Sequence, residues 1–316
     1  MKVVFCGTPD FAVPTLRAVV DAGHEVLLVA TQPDRPSGRG LAMSQPAVKA
    51  AALALGMGAE QILQPEKIKI NPEFRARLEG ASPDAILVVA YGRIIPGWML
   101  ALPPLGNINL HGSLLPKYRG AAPVQWAIAN GEAATGVTTM RIDAGLDTGD
   151  MLLRRAVPIG PEQTARDMFP VLAEAGAKLM VETLAGLAAN TIEPVPQDNT
   201  LATLAPILVR EDAQIDFGRP AQAIHDRWRG FQPWPGAYTF WRGKKLIVHG
   251  LRVATGSQGF EDRELGTILA VKAKLLAQCG NGTLMELVEV QLEGKKRMPA
   301  PEFSSGYQVK IGERLG

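Results

Sequence analysis

Short apolar runs alternate with helical stretches through the first half of this chain, and that alternation most constrains its fold. Lys2–Cys6 is a predicted strand running into the turn Gly7-Thr8-Pro9-Asp10. Phe11–Ala22 has helical spacing and stops at Gly23. Glu25–Thr31 is a second strand, and Gln32–Gln45, with two prolines, two glycines and two arginines, is predicted as a loop. Pro46–Leu55 reads as a helix. Ile86–Ala90 is a continuous apolar run, as expected of a strand covered on both faces. Asn107–Leu110 follows as a strand and Val124–Asn130 as a helix. Strands at Val137–Ile142 and Met151–Val157 flank a Gly-rich loop, and Thr164–Leu187 is a long amphipathic helix. Repeated β-α-β order of this kind predicts an α/β fold with a mostly parallel sheet and helices on both sides.

The pattern changes near residue 200. Thr191–Leu208 holds three prolines and few apolar runs, and is predicted as a linker. A candidate helix at Pro220–Arg229 precedes strands at Ala237–Trp241, Lys245–Val253, Gly266–Val271, Leu275–Gln278 and Leu284–Gln291, punctuated by glycines. That is the pattern of a small β-barrel or sandwich. The expected organisation is therefore residues 1–190, a linker at 191–208, and a second domain at 209–316.

Composition sets bounds. The chain has 316 residues, is 47% hydrophobic and 20% charged, and fits a globular protein with material for one large or two moderate cores. Residues 1–205 carry 17 basic and 19 acidic side chains, and residues 206–316 carry 16 and 12. The second part leans basic, too mildly for charge alone to argue nucleic acid. Two separated cysteines, Cys6 and Cys279, exclude a disulfide framework and cysteine metal spacing. They fit a reducing cytoplasm. No apolar run approaches the ~20 residues that span a bilayer.

The candidate chemistry lies in Asn109-Leu110-His111-Gly112-Ser113-Leu114-Leu115-Pro116 and in Asp147 of Asp143–Asp150. On a strand, residues i and i+2 share a face, so the Asn109 amide and the His111 imidazole project together. The amide can donate hydrogen bonds to an oxygen that gains charge. The imidazole can move a proton near neutral pH. A carboxylate alongside, such as Asp147, would orient the ring. Such a trio suits transfer of an acyl group without a covalent enzyme intermediate. Taken singly, each residue has an ordinary reading: a bonded strand-end histidine, an amide satisfying a loop, an Asx-turn aspartate. His111 also stands at the C-terminal end of a predicted parallel strand, where open α/β sheets place ligand sites.

Other features stay open on residues alone. Gly7–Asp10 is either an anion-binding turn or a tight strand-to-helix turn capped by Asp10. Arg35 and Arg39 are either solvated loop residues or phosphate contacts. Lys295-Lys296-Arg297 is a solvated cluster or an RNA patch. Phe231–Tyr238 is a rigid corner or a stacking surface. The missing G-x-G-x-x-G disfavours a nicotinamide-dependent oxidoreductase.

Several segments resemble the methionyl-tRNA formyltransferase family. They are Val4–Pro14, Gln32–Gly40, His111–Gln125, Met140–Met151, Gly230–Gly236 and Gly294–Met298. The resemblance spans nearly the whole chain. It implies a Rossmann-like formyltransferase domain followed by an OB-like β-barrel. It implies transfer of formyl from 10-formyltetrahydrofolate to the methionine amino group on initiator tRNA; a cytoplasmic monomer that needs no metal is expected. Asn109, His111 and Asp147 match the family's catalytic trio. Ser113, Leu114, Leu115 and Pro116 match its folate-contacting stretch, and Tyr91, Gly92 and Ile94 a second wall of that pocket. Arg39 matches its tRNA-recognising loop arginine; Arg35 and Lys295–Arg297 are the other tRNA-contact candidates. After Gly40 the chain has Leu41-Ala42-Met43-Ser44, where the family has a lysine-containing stretch. Within the same chemistry the alternatives are a sugar formyltransferase, which resembles this chain around the active site, and a 10-formyltetrahydrofolate hydrolase; a non-catalytic RNA-binding module is the reading from another class.

Overall fold

A computed structural model describes residues 1–37, 42–254 and 264–316. In chain order the elements of the first part are β1 (Lys2–Gly7), α1 (Val13–Asp21), β2 (Glu25–Ala30), β3 (Arg35–Ser37), β4 (Ala42–Ser44), α2 (Ala47–Ala54), β5 (Ile62–Leu63), α3 (Pro72–Ala81), β6 (Ala85–Val89), α4 (Gly97–Leu100), β7 (Asn107–His111), α5 (Pro123–Ala129), β8 (Ala134–Arg141), β9 (Met151–Pro158) and α6 (Ala165–Ala188). The second part holds α7 (Ala221–Gly230), β10 (Tyr238–Trp241), β11 (Lys244–Val253), β12 (Ile268–Ala270), β13 (Leu275–Gln278), β14 (Leu284–Leu292), β15 (Met298–Pro299) and α8 (Ala300–Gly306). None of the described helices is long and apolar enough to cross a membrane.

Seven strands form the first sheet, in the order β5-β2-β1-β6-β7-β8-β9. Pairing is parallel from β5 to β7 and antiparallel at β7–β8 and β8–β9. The all-apolar runs Val3–Cys6 and Ala85–Val89 lie at its centre with every side chain buried, as doubly covered strands require. From β1 the chain first builds outward through β2 and β5, then crosses back to place β6 on the other side of β1. This reversal makes a switch point, and ligands of open α/β sheets sit outside the strand C-termini there. Gly7 ends β1 where an added Cβ would lie 2.9 Å from Ala12 Cβ and 3.0 Å from Val89 O, so the close passage of chain suits glycine alone.

Among the departures from expectation, two lie in the first part. The predicted loop Gln32–Gln45 contains a short hairpin that pairs Arg35 with Ser44 and Pro36 with Met43. Its base is tied by Asp34, which accepts from Lys49 Nζ and Gln64 Nε2 at 2.7 Å each. These bonds, Gln64 first, hold the Asp34 carboxyl below the usual range. Helix α3 was not foreseen: only Phe74 and Leu78 of its ten residues are buried, too few for a periodic signal. Its local signature is present, since Asn71 Oδ1 accepts from Phe74 N at 2.9 Å and Pro72 opens the first turn.

The chain divides into two compact units, residues 1–123, 134–158 and 167–206 in one and 124–133, 159–166 and 207–316 in the other. Residues 191–206, expected as a linker, thus belong to the first unit. Met151 and Val195 exchange backbone hydrogen bonds at 2.9 Å, and Ala205 N donates to Arg119 O at 2.7 Å. The second unit is built on an antiparallel sheet, β10-β11-β14-β13-β12, with β15 beside β14. The last residues bridge both edges of that path, Leu315 to Trp241 and Arg314 to Thr267. These bridges are compatible with a barrel. Inside it pack Trp241, Leu246, Leu287, Val290 and Phe303.

Candidate active site

Strand β7 carries both Asn109 and His111 toward its C-terminal end, and the i, i+2 spacing puts them on one face. Their surroundings differ. His111 is buried, while Asn109 is partly exposed, and among the described residues its carboxamide has no hydrogen-bond partner. His111 Nε2 lies 2.8 Å from Tyr118 O. A carbonyl can only accept, so Nε2 carries a proton and Nδ1 is the ring nitrogen whose protonation can change. Nδ1 faces Asp147 Oδ2 at 3.6 Å. The same Oδ2 accepts from Gly120 N at 2.8 Å.

The two groups that flank the ring come from residues in the left-handed region, Tyr118 at φ 63° and Asp147 at φ 52°. Such backbone persists only where its surroundings fix it. Here the fixing comes from residues 197–205. Tyr118 N donates to Thr203 Oγ1 at 2.9 Å and Arg119 N to Thr203 O at 2.8 Å. At Gly120 (φ 123°) an added Cβ would stand 2.7 Å from Ala205 O. The Asx-turn open to Asp147 is made by Asp143 instead, whose Oδ1 accepts from Gly145 N at 3.0 Å. Asp147 is thereby left to the histidine.

A full-length likeness fits this geometry. Residues 1–184 match the Formyl transferase family and residues 207–308 its C-terminal domain. The chain belongs to the formyl transferase family. It is 60% identical to a methionyl-tRNA formyltransferase of Acidobacterium capsulatum over 317 residues, covering all of both chains. It is 58% identical to the methionyl-tRNA formyltransferase of Koribacter versatilis, with 100% of this chain and 99% of that one covered. Among solved structures, WlaRD, a sugar 3N-formyltransferase crystallised in the presence of dTDP and 5-N-formyl-THF, shares the fold at TM-score 0.66 and 18% identity, over 94% of this chain and 99% of that one.

The family's proposed folate contacts divide once the fold is known. Ser113 is fully buried, and its hydroxyl donates to Lys117 O at 2.6 Å. Leu115 is buried against Met140 and Met151. Both side chains therefore pack within the loop. Leu114 and Pro116 remain partly exposed. Tyr91 is buried and Gly92 exposed, and both line an open groove of about 640 Å³ with Thr8, Gln32, Arg35 and Arg93. Ile94 is 92% exposed, an apolar side chain offered to solvent beside that groove's wall.

The cationic candidates also divide. Arg35 is exposed and lines the groove. Arg39 lies outside the described residues. Lys295 and Lys296 are exposed in the turn between β14 and β15, whereas Arg297 is paired with Glu289. Sequence reasoning missed Arg119, Gln197 and Thr203. No spacing rule marks a glutamine inside a proline-rich stretch, and only the fold brings it to the Asp147 loop.

Proposed function

We propose that this chain transfers the formyl group of 10-formyltetrahydrofolate to the α-amino group of methionine esterified to initiator tRNA, acting as a cytoplasmic monomer. The observation that carries this reading is the approach of the Asp147 carboxylate to Nδ1 of a His111 whose other nitrogen is locked, beside an Asn109 amide that has no partner among the described residues. The full-length identity to methionyl-tRNA formyltransferases supports the choice of acceptor.

The methionine amine loses its ammonium proton and attacks the formyl carbon. The formyl C=O becomes a tetrahedral oxyanion. Asn109 Nδ2, with both hydrogens available, donates to that oxygen as the charge grows. The attacking nitrogen then gives up a second proton to become the amide nitrogen while N10 takes one as the C–N10 bond breaks, so these two transfers balance, the first ammonium proton having gone to solvent. His111 Nδ1 and Asp147 form the relay, since Nε2 cannot change its proton without breaking the Tyr118 bond. Neither cysteine competes as a nucleophile, because burial pushes both thiols up to about 12. Holding two large substrates together supplies much of the acceleration. The groove with Arg35 and Arg93, and separately the Lys295–Lys296 turn, offer cations for tRNA phosphates.

The test is formyl transfer from 10-formyltetrahydrofolate to charged initiator tRNA, with His111→Ala as the control. Rapid transfer that collapses in the variant is the expected result. Folded protein that binds the folate but formylates an amino sugar nucleotide, or merely releases formate, would remove the tRNA assignment.

A further inference from the structure

Gln197 occupies a place in this site that its setting in the sequence conceals. It is buried, and all four hydrogen-bonding positions of its amide are used. Oε1 accepts from Arg119 Nε at 3.0 Å and from Arg119 Nη2 at 2.8 Å. Nε2 donates to Asp147 O at 2.8 Å and to Gly149 O at 2.7 Å. Chemistry admits only this orientation of the amide. A guanidinium cannot accept a hydrogen bond and a carbonyl cannot donate one, so the oxygen must face Arg119 and the NH₂ must face the loop.

The loop so held is the one that needs holding. Asp147 has positive φ and no helix or strand of its own to fix it. Its carboxylate must meet both Gly120 N and the His111 ring, and a rotation about its backbone would move the carboxylate away from both. Arg119 is anchored in turn. Its Nη2 donates to Asn199 Oδ1 at 2.9 Å, and its backbone is clamped by Thr203 O and Ala205 N. The backbone that gives Asp147 its partner at Gly120 and the side chain that aims Gln197 thus come from adjacent residues.

We propose that Gln197 is a positioning residue for the transfer reaction: it holds Asp147 against His111, and Arg119 selects the amide orientation that lets it do so. This rests on the reading of Asp147 as a working group of the site. Gln197→Glu is the informative change. It is isosteric and keeps the pairing with Arg119, yet it sets a carboxylate oxygen against two carbonyl oxygens and strips the loop of both donors.

The experiment measures kcat, KM for charged initiator tRNA, and thermal unfolding for wild type, Gln197→Glu, Asp147→Asn and the double variant. The expected result is a kcat lower by on the order of 10²-fold in Gln197→Glu, as for a misplaced catalytic group, with KM within about twofold and the folded state retained. In the Asp147→Asn background the second change should cost almost nothing, because the loss already made is the one Gln197 acts through. Should Gln197→Glu fail to fold, Gln197→Met, which removes the donors without adding a charge, carries the same expectation at smaller amplitude. Wild-type kcat in a folded Gln197 variant, with Asp147→Asn inactive, overturns the positioning role and leaves Asp147 standing. Multiplicative losses in the double variant also overturn it. A fully active Asp147→Asn removes the reading of Asp147 itself, and this proposal with it.

Discussion

The corner around His111 and the turn at Lys295–Arg297 both gather polar side chains that chemistry makes useful, but the fold treats them in opposite ways. At His111 each group is fixed by another. Tyr118 O holds Nε2, Gly120 N holds Asp147, and Gln197 and Thr203 hold the backbones that carry them. At the turn, the Lys295 and Lys296 side chains are exposed, and the Arg297 side chain is paired with Glu289. The difference matches what each proposed task would require. A proton relay depends on tenths of an ångström and is served by buried, bonded groups. Attraction of a polyanion acts through a potential and needs only exposed charge.

The comparison is broken most severely at Asn109. If its amide donates to the oxyanion, Asn109→Ala should lower kcat by on the order of 10²–10³, with little change in KM, by analogy with loss of a single oxyanion-hole donor. Because Asn109 has no hydrogen-bond partner among the described residues and is partly exposed, the substitution should leave thermal stability nearly unchanged. A variant that turns over at near-normal rate would place the oxyanion elsewhere.

How far each region could be read from the chain follows the same division. The Asn109–His111 pair was visible because strand geometry alone puts i and i+2 on one face. The lysines of the turn were visible as a run of charge. Asp147 was visible as a carboxylate in a Gly-rich loop, but not the left-handed backbone that aims it. Residues 191–206 were misjudged because prolines and sparse apolar residues signal a linker, whereas this segment is fixed by hydrogen bonds from Gln197, Thr203 and Ala205 to residues some 50 to 85 positions away. Hydrogen bonds across such separations have no period and leave no local mark. Ser113 and Leu115 show the converse limit, since a motif marks the loop without telling which of its side chains face inward.

A gentler break lies at the exposed turn. Lys295→Ala with Lys296→Ala should raise KM for tRNA several-fold and leave kcat unchanged, because uniform electrostatic binding is lost and no geometry is. The slope of log affinity against log salt should shrink by about 1 for each phosphate contact removed. Arg297 is left out of the pair because its charge is already engaged by Glu289. Unchanged KM and slope would confine tRNA contact to other surfaces.

The smallest expected effect tests how much a bonded but more exposed carboxylate of the second unit, Glu313, contributes. Glu313 Oε2 accepts from Trp241 Nε1 at 2.8 Å and Oε1 from Arg242 Nη2 at 2.5 Å, next to the residues that bridge the sheet's two edges. The Arg242 guanidinium foremost, with the Trp241 indole, holds this carboxyl below the usual carboxylate range. A group with a depressed folded pKa binds its proton more readily when unfolded. Its contribution is therefore complete above the unfolded value, about 4.3, and is lost as pH falls through the lower folded one. Glu313→Gln should cost on the order of 1 kcal/mol at pH 7. Comparing the two proteins by thermal unfolding isolates Glu313 from Asp34 and Glu289, which are shifted the same way in both. The gap between them should close as pH is lowered toward 3, because the wild-type carboxyl then becomes neutral like the amide. A gap that stays constant with pH would mean that Glu313 contributes through packing rather than through its bonded charge.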